Sequence, residues 1–339
     1  MRKIKVMVVD DSAFMRKAIT SMLESDPEIK VVGTAGTGEE CLEKYRELNP
    51  DIIALDLDMP GMGGIETLKR IMREHPVPVV VISALTYEGA QITFEAFEAG
   101  AADVIYKDIL RSPLDVLKKE KEIIEKVKAI ARKGVVKVSG EPKVIKREFK
   151  VEGEKGVAIG ASTGGPSAIE TILRSLPGDF PSPIFVTQHM PDAFIKLFAE
   201  RLNKLSQLNV VKAEDGMRAE PSHVYIAPGN SHLTVKRVLK DVVIQLSKTP
   251  NTLYRPSVDV MMESVGEVFR SNSVGIILTG MGNDGVRGAK AIKEKGGIII
   301  AQDEKTSVVF GMPRAVIEEN LADKILPLEK IPEAIIDAL

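Results

Sequence analysis

A serine, a histidine and an aspartate each follow an apolar run in the second half of this 339-residue chain. They are Ser162 in GVAIGASTGGPSA, His189 in PIFVTQHMP and Asp284 in VGIILTGMGNDG. A serine hydroxyl is a weak nucleophile until a base takes its proton. A neutral imidazole can do so near pH 7, and a carboxylate can orient the ring and stabilise the imidazolium that forms. The chain has four histidines, His75, His189, His223 and His232, so candidates for the base are few. Taken singly, each residue has a plainer reading. Ser162 and Thr163 could cap the helix expected over 166–176, Asp284 could cap the one expected over 285–296, and His189 could be a core histidine. If the three runs are adjacent parallel strands, their carboxyl ends bring the three residues to one edge, and a nucleophilic triad becomes the better reading. The GAST-G spacing matches the nucleophile elbow G-x-S-x-G, but the order here is Ser, His, Asp, not the Ser, Asp, His of that fold. The glycines fit neither a dinucleotide fingerprint nor a Walker loop. A helix start after them could hold an anion or, equally, a catalytic oxyanion.

The first half carries a different set. Asp10 and Asp11 end a first apolar run, Asp56 ends a third and is followed by Asp58, Ser83 ends a fourth and Lys107 a fifth. Carboxylates converging on one sheet edge repel one another unless a cation joins them. Oxygen-only donors, with no Cys or His among them, suit Mg²⁺. A hydroxyl and a lysine beside them suit the oxygens of a phosphoryl group. A single aspartate at a strand end would be read as a turn former or helix cap.

The elements that must position these groups follow from periodicity. Strands are expected at 5–10, 31–36, 52–57, 78–84 and 104–107, separated by amphipathic stretches such as 64–75. A charged helix is expected over 112–134, from Ser112-Pro113 to Gly134, and an aperiodic charged stretch over 135–156. A second alternation places strands at 157–161, 183–189, 209–214, 223–228, 274–280 and 297–302. Its helices fall at 166–176, 193–205, 258–270 and 285–296, with a hairpin over 232–247. The fold class is therefore α/β: an N-terminal (βα)5 unit over 1–122, a linker over 123–154, and a doubly wound, mainly parallel unit with a β-hairpin over 155–339. Charged residues are 28%, hydrophobic residues 44% and net charge −2, which argues against a nucleic-acid surface. The lone Cys41 excludes an intramolecular disulfide and a cysteine metal cluster. No apolar run is long enough to insert in a membrane, and the start MRKIKVMVVDD does not read as a signal peptide, so a cytoplasmic location is expected.

Over about its first 120 residues the chain resembles the response-regulator receiver family, through VVDDS, LDLDMPGMGG, ISAL and YK. That resemblance implies that Asp56 accepts a phosphoryl group from a histidine kinase. It implies Mg²⁺ on Asp11 and Asp56 with Asp10 in support and a backbone carbonyl from Asp58, and phosphoryl contacts from Ser83 and Lys107. Asp108 replaces the proline common after the lysine, and Val104 stands where a switch aromatic is common, with Tyr106 expected on the other face of the strand. With IGASTGGP, TQHMP, YIAPG, YRPSVDVMMES and LTGMGNDG, nearly the whole chain resembles the chemotaxis protein-glutamate methylesterase family of CheB type. The resemblance implies a Ser162, His189, Asp284 triad with no cofactor for the hydrolase. Met281 would contribute a backbone oxyanion donor, and Thr163 would neighbour the serine and histidine. The substrates implied are methyl esters, and selected glutamines, on the cytoplasmic helices of chemoreceptors, with a chemotaxis histidine kinase as phosphodonor. On that reading the segment 155–339 alone is expected to be more active than the unphosphorylated full chain. A phosphorylation-dependent binding module with an inactive triad, and a hydrolase for small esters or peptides, are the competing readings.

Overall fold

A computed structural model describes residues 2–84, 86–107, 116–136, 143–145, 147 and 153–339. The helix start at Ser112-Pro113, the residue Asp108 and most of the stretch 135–152 lie outside the described residues. The chain divides into two compact units, Met1–Val136 and Lys137–Leu339.

The first unit alternates strictly: β1 (Ile4–Val9), α1 (Ala13–Glu24), β2 (Ile29–Ala35), α2 (Gly38–Leu48), β3 (Ile52–Asp56), α3 (Gly63–Glu74), β4 (Val79–Ser83), α4 (Tyr87–Glu98), β5 (Asp103–Tyr106) and α5 (Val116–Lys133). The strands form one parallel sheet in the order β2-β1-β3-β4-β5. Every residue of β3 and β4 is buried, as expected for inner strands covered on both faces. Helix starts are set by Ser12, Thr37 and Thr86, whose hydroxyls accept N–H groups of the first turn. Gly64 lets α3 begin against the end of β3, because a Cβ there would fall 2.3 Å from the Asp56 carbonyl oxygen. The unit extends past residue 122. Helix α5 buries Ile123, Ile124, Val127 and Ile130, so its second half is part of the core and not a solvated connector. Val104 and Tyr106 both pack on the cluster of Leu55, Val79 and Val81, on one face of β5. The expectation that they face opposite ways is corrected: residues two apart on a strand share a face.

The second unit runs β6 (Gly156–Ala161), α6 (Gly165–Ser175), β7 (Ile184–Gln188), α7 (Asp192–Leu205), β8 (Asn209–Lys212), β9 (His223–Ile226), β10 (His232–Val238), β11 (Asp241–Ser247), α8 (Val258–Phe269), β12 (Ser273–Ile277), α9 (Val286–Glu294), β13 (Ile298–Gln302), α10 (Gly311–Glu318), β14 (Lys324–Leu326) and α11 (Ile331–Asp337). Seven strands make a parallel sheet in the order β14-β13-β12-β6-β7-β9-β8. The chain leaves β6 toward β7 and later returns to β12 on the other side, so β6 lies at a topological switch point. β10 and β11 form a separate antiparallel hairpin, whose Leu233, Val235, Val242 and Ile244 join Met261 and Val265 of α8 in one buried cluster. β14, α10 and α11 have no counterpart in the strands and helices expected from periodicity. β14 has three residues, two of them exposed, and so shows no apolar period. No helix among the described residues is long and apolar enough to cross a membrane.

Candidate active site

The strands that carry the three candidate residues of the second unit are adjacent. Strand β6 pairs with β7 through Ala161↔Gln188 and with β12 through Ile277↔Gly160. Beyond these pairs the backbones stay in register: the His189 N–H donates to the Ala161 carbonyl at 3.0 Å, and the Ser162 N–H to the Thr279 carbonyl at 3.0 Å. Ser162 is thus bracketed at the carboxyl edge by His189 on one side and the 279–285 loop on the other. Its carbonyl accepts from Gly165 N–H at 2.8 Å and from Gln188 Nε2 at 2.9 Å. The cap of α6 is Gly164, at φ +75° and without a side-chain bond, so neither Ser162 nor Thr163 caps that helix. Thr163 is buried, and its carbonyl accepts the Thr279 hydroxyl at 2.8 Å.

His189 Nε2 lies 2.8 Å from Asp284 Oδ2. An ionised carboxylate only accepts, so Nε2 carries the proton and the lone pair is on Nδ1. That nitrogen is buried and has no hydrogen-bond partner among the described residues, so the Ser162 hydroxyl and His189 Nδ1 are not bonded to each other in this conformation. Asp284 does not cap α9, whose cap is Gly285. It serves the neighbouring helix instead: the N–H groups of Val258 and Asp259 at the start of α8 donate to it at 2.7 and 3.0 Å, and the Ser257 hydroxyl at 2.9 Å. Asp259 reciprocates by accepting Gly285 and Gly288 N–H, each at 2.9 Å, at the start of α9. Burial disfavours charge on Asp284, but the bond and charge of His189 and the two backbone donors outweigh it and hold the carboxyl below its ordinary range. Asp259 goes the other way: burial raises it, and repulsion by Asp284 adds to the rise.

Three contributors escaped sequence reasoning. Ser257 donates to Asp284, Tyr254 stacks on His189 with ring centroids 4.5 Å apart, and buried His232 accepts the Ser257 N–H at 3.1 Å. All lie in or beside the connection between β11 and α8. The stretch YRPSVDVMMES marked that region, but spacing alone assigned it no chemistry. The loop bearing Met281 is pressed on the end of β6: a Cβ at Gly280 would fall 2.8 Å from Ser162 Cβ and 2.4 Å from Met312 Sδ. Gly280→Ala must therefore displace one of these neighbours. A fall in kcat of more than about tenfold, with cooperative unfolding retained, is the expected outcome of steady-state assays and thermal melts.

In the first unit, Asp10, Asp11 and Asp56 each offer a carboxylate oxygen within 4.8 Å of the others. Lys107 Nζ lies 2.6 Å from Asp56 Oδ2 and 3.8 Å from Asp10 Oδ2. Asp58 is exposed, and its N–H donates to Asp56 Oδ1 at 3.2 Å. The Ser83 hydroxyl, at the end of β4, donates to the Gly89 carbonyl at 3.0 Å and accepts from Thr93 at 2.9 Å. Burial lifts Asp56 to about 6, against the pull of Lys107 and with a push from Asp10. Asp10 is also raised, chiefly by burial. Arg16, not anticipated from the sequence, donates to the carbonyls of Asp10 and Asp11 at 2.6 and 3.0 Å and fixes the turn that carries them.

The two units define a response regulator: a receiver sheet with an acidic edge, joined in one chain to a parallel α/β unit with Ser, His and Asp on neighbouring strand ends. Residues 6–117 match the response regulator receiver domain model, and residues 157–335 match the CheB methylesterase model. The chain belongs to the CheB methylesterase family. It is 44% identical over 366 residues to a protein-glutamate methylesterase/protein-glutamine glutaminase 1 of Oleidesulfovibrio alaskensis, covering 99% of each chain. It is also 44% identical over 339 residues to the corresponding methylesterase/glutaminase of Thermotoga maritima, covering 99% of this chain and 98% of that one. The crystal structure of the Thermotoga maritima CheB methylesterase catalytic domain superposes with a TM-score of 0.54 at 46% identity, over 56% of this chain and 100% of that one.

Proposed function

We propose that this chain is a phosphorylation-regulated serine hydrolase of the cytoplasm that removes methyl esters from glutamyl side chains of chemoreceptors and deamidates selected receptor glutamines. The observation that supports it most is the 2.8 Å His189–Asp284 bond beside Ser162, with the second ring nitrogen buried and without a hydrogen-bond partner among the described residues. Ser162 Oγ attacks the ester carbonyl as His189 Nδ1 takes its proton, and Asp284 balances the charge the ring gains. The tetrahedral oxyanion is held by backbone N–H donors, with Met281 the candidate on the loop against Ser162, and Thr163 packs behind the nucleophile. His189 returns the proton to methanol, or to ammonia when glutamine is the substrate. Water then enters by the same base, cleaves the glutamyl-serine ester and leaves a glutamate carboxylate.

The acidic edge of the first unit fits a hard divalent cation. Its donors are all oxygens, and Asp10 Oδ2 is buried without a hydrogen-bond partner among the described residues. Asp11 and Asp56, supported by Asp10 and the Asp58 backbone carbonyl, would hold Mg²⁺. Bound there, the ion supplies positive charge to offset phosphoryl oxygens. Asp56 accepts the phosphoryl group from a chemotaxis histidine kinase, while Lys107 and Ser83 take its oxygens. Substrates are the methylated cytoplasmic helices of receptors. The phosphoryl role is proposed for the first unit through the end of α5, and the ester role for 155–339.

The test is methanol release from a methylated receptor fragment by the full chain, with and without acetyl phosphate and Mg²⁺. Wild type is expected to be stimulated and Asp56→Asn to keep its basal rate without stimulation. Equal stimulation of both would remove Asp56 from its role. The same variant reports on burial. A carboxyl raised to about 6 in the folded state contributes stability below its ordinary value of 3.8 that is lost as pH rises through about 6. The stability of Asp56→Asn relative to wild type, read from denaturant melts, should therefore increase between pH 5 and pH 7. Mg²⁺ should stabilise wild type more than the variant.

A further inference from the structure

A base that must accept a proton on one defined nitrogen needs its ring plane held. The bond to Asp284 anchors His189 at Nε2 only. Among the described residues nothing bonds to Nδ1 to resist rotation about that contact, and a buried ring nitrogen so placed favours rotation toward any available donor. The ring nevertheless sits face to face with Tyr254, with centroids 4.5 Å apart and planes inclined by 13°. That is the stacked range in which aromatic pairs attract beyond their buried area.

Tyr254 is itself held on both sides. Its carbonyl accepts the Thr252 hydroxyl at 2.5 Å. Its hydroxyl lies against Gly282 of the loop leading to Asp284, since a Cβ at Gly282 would fall 2.9 Å from it. Behind the loop, His232 contacts the Pro250 carbonyl at 2.9 Å through Nε2 and accepts the Ser257 N–H through Nδ1. One buried imidazole thus pins both ends of the segment that presents Tyr254.

We propose that Tyr254 is a positioning residue for the hydrolase. Its ring fixes the plane of His189 so that the Nδ1 lone pair is directed to the nucleophile, and its π face favours the positive charge the imidazole gains in the transition state. This rests on the assignment of Ser162, His189 and Asp284 as nucleophile, base and carboxylate. The hydroxyl is not required for either effect, but the flat ring is.

The test uses the full chain, with kcat and KM for methyl-ester hydrolysis, the rate of Ser162 labelling by a fluorophosphonate, and ¹⁵N NMR of the His189 ring. Tyr254→Phe is expected to stay within about threefold of wild type in kcat. Tyr254→Leu is expected to lose about tenfold to thirtyfold in kcat and in labelling rate with KM within twofold, the rate equivalent of the lost ring contacts. Its His189 nitrogens should change from a single Nε2–H tautomer to averaged shifts. A Leu variant within twofold of wild type, a Phe variant as impaired as Leu, or a loss confined to KM each overturns the proposal. If Leu lowers the unfolding midpoint enough to unfold the protein at assay temperature, Tyr254→Met is judged by the same criteria. Failure of wild type to label at Ser162 would instead overturn the assignment beneath it.

Discussion

Replacing Ser162 by alanine should reduce ester hydrolysis by about 10⁴- to 10⁶-fold while leaving the fold intact. The magnitude follows from the proposed role: without the hydroxyl assigned to form the acyl-enzyme, the residual rate comes from binding and oxyanion donors. The fold survives because the structural bonds of this residue are made by its main chain: N–H to Thr279, carbonyl from Gly165 and Gln188. Methanol release and a thermal melt on the same sample decide it. A variant with unchanged melting and more than a tenth of wild-type rate would show that the hydrolysis runs without this hydroxyl. A fluorophosphonate label on wild type that is absent from the variant separates an active nucleophile from a binding module with an inert triad.

Asp284→Asn should cost about 10⁴-fold in kcat, and unlike the serine variant it should also destabilise the protein. Four donors converge on this carboxylate. Ser257 Oγ and Asp259 N–H use Oδ1, while Val258 N–H and His189 Nε2 use Oδ2. An amide offers only one accepting atom. With its nitrogen at the Oδ2 position it opposes Val258 and forces His189 to the other tautomer, which carries a hydrogen on the nitrogen that must accept. With its nitrogen at the Oδ1 position, Asp259 N–H loses its acceptor. Either orientation removes the negative charge that balances the imidazolium. The unsatisfied backbone donor adds about 1–3 kcal/mol of destabilisation, measurable by denaturant unfolding. Full kcat in Asp284→Asn would contradict the assigned role. Wild-type stability would contradict the bonding network.

Much of this was legible in the sequence because parallel sheets write themselves plainly. Fully buried strands are continuous apolar runs, so β1, β3, β4, β6, β7, β12 and β13 stood out, and the residues just past them marked the carboxyl edges. Scarcity helped too, because only four histidines were available for the base. What stayed hidden depends on contacts without a period. The order β12-β6-β7, which makes three separate strand ends one place, is set by crossovers between elements distant in the chain. Asp284 sits two residues before the start of α9, and local reasoning assigns it to that helix. Only the packing of α8 beside α9 shows each aspartate bonded to the other's helix. Tyr254 acts from an irregular connection, where neither helical nor strand spacing predicts which side chain turns inward, and His232 opens β10 but bonds into that same connection. α5 was underestimated for a related reason: its many lysines and glutamates suggest solvent on all sides, although an isoleucine and valine stripe faces the core.

The two carboxyl-edge clusters have a consequence for how such a chain can be assembled and rewired. The groups assigned to phosphoryl chemistry lie between Asp10 and Lys107, and those assigned to ester chemistry between Ser162 and Asp284, with none held in common. Among the described residues, each half therefore carries a chemically complete workshop. Its parts can be inherited, exchanged or transplanted without splitting a reactive group from its partners. The input then becomes a replaceable cartridge, and the grafting of a foreign receiver onto residues 155–339 should leave the ester-cleaving machinery whole even where it alters the signal that governs it.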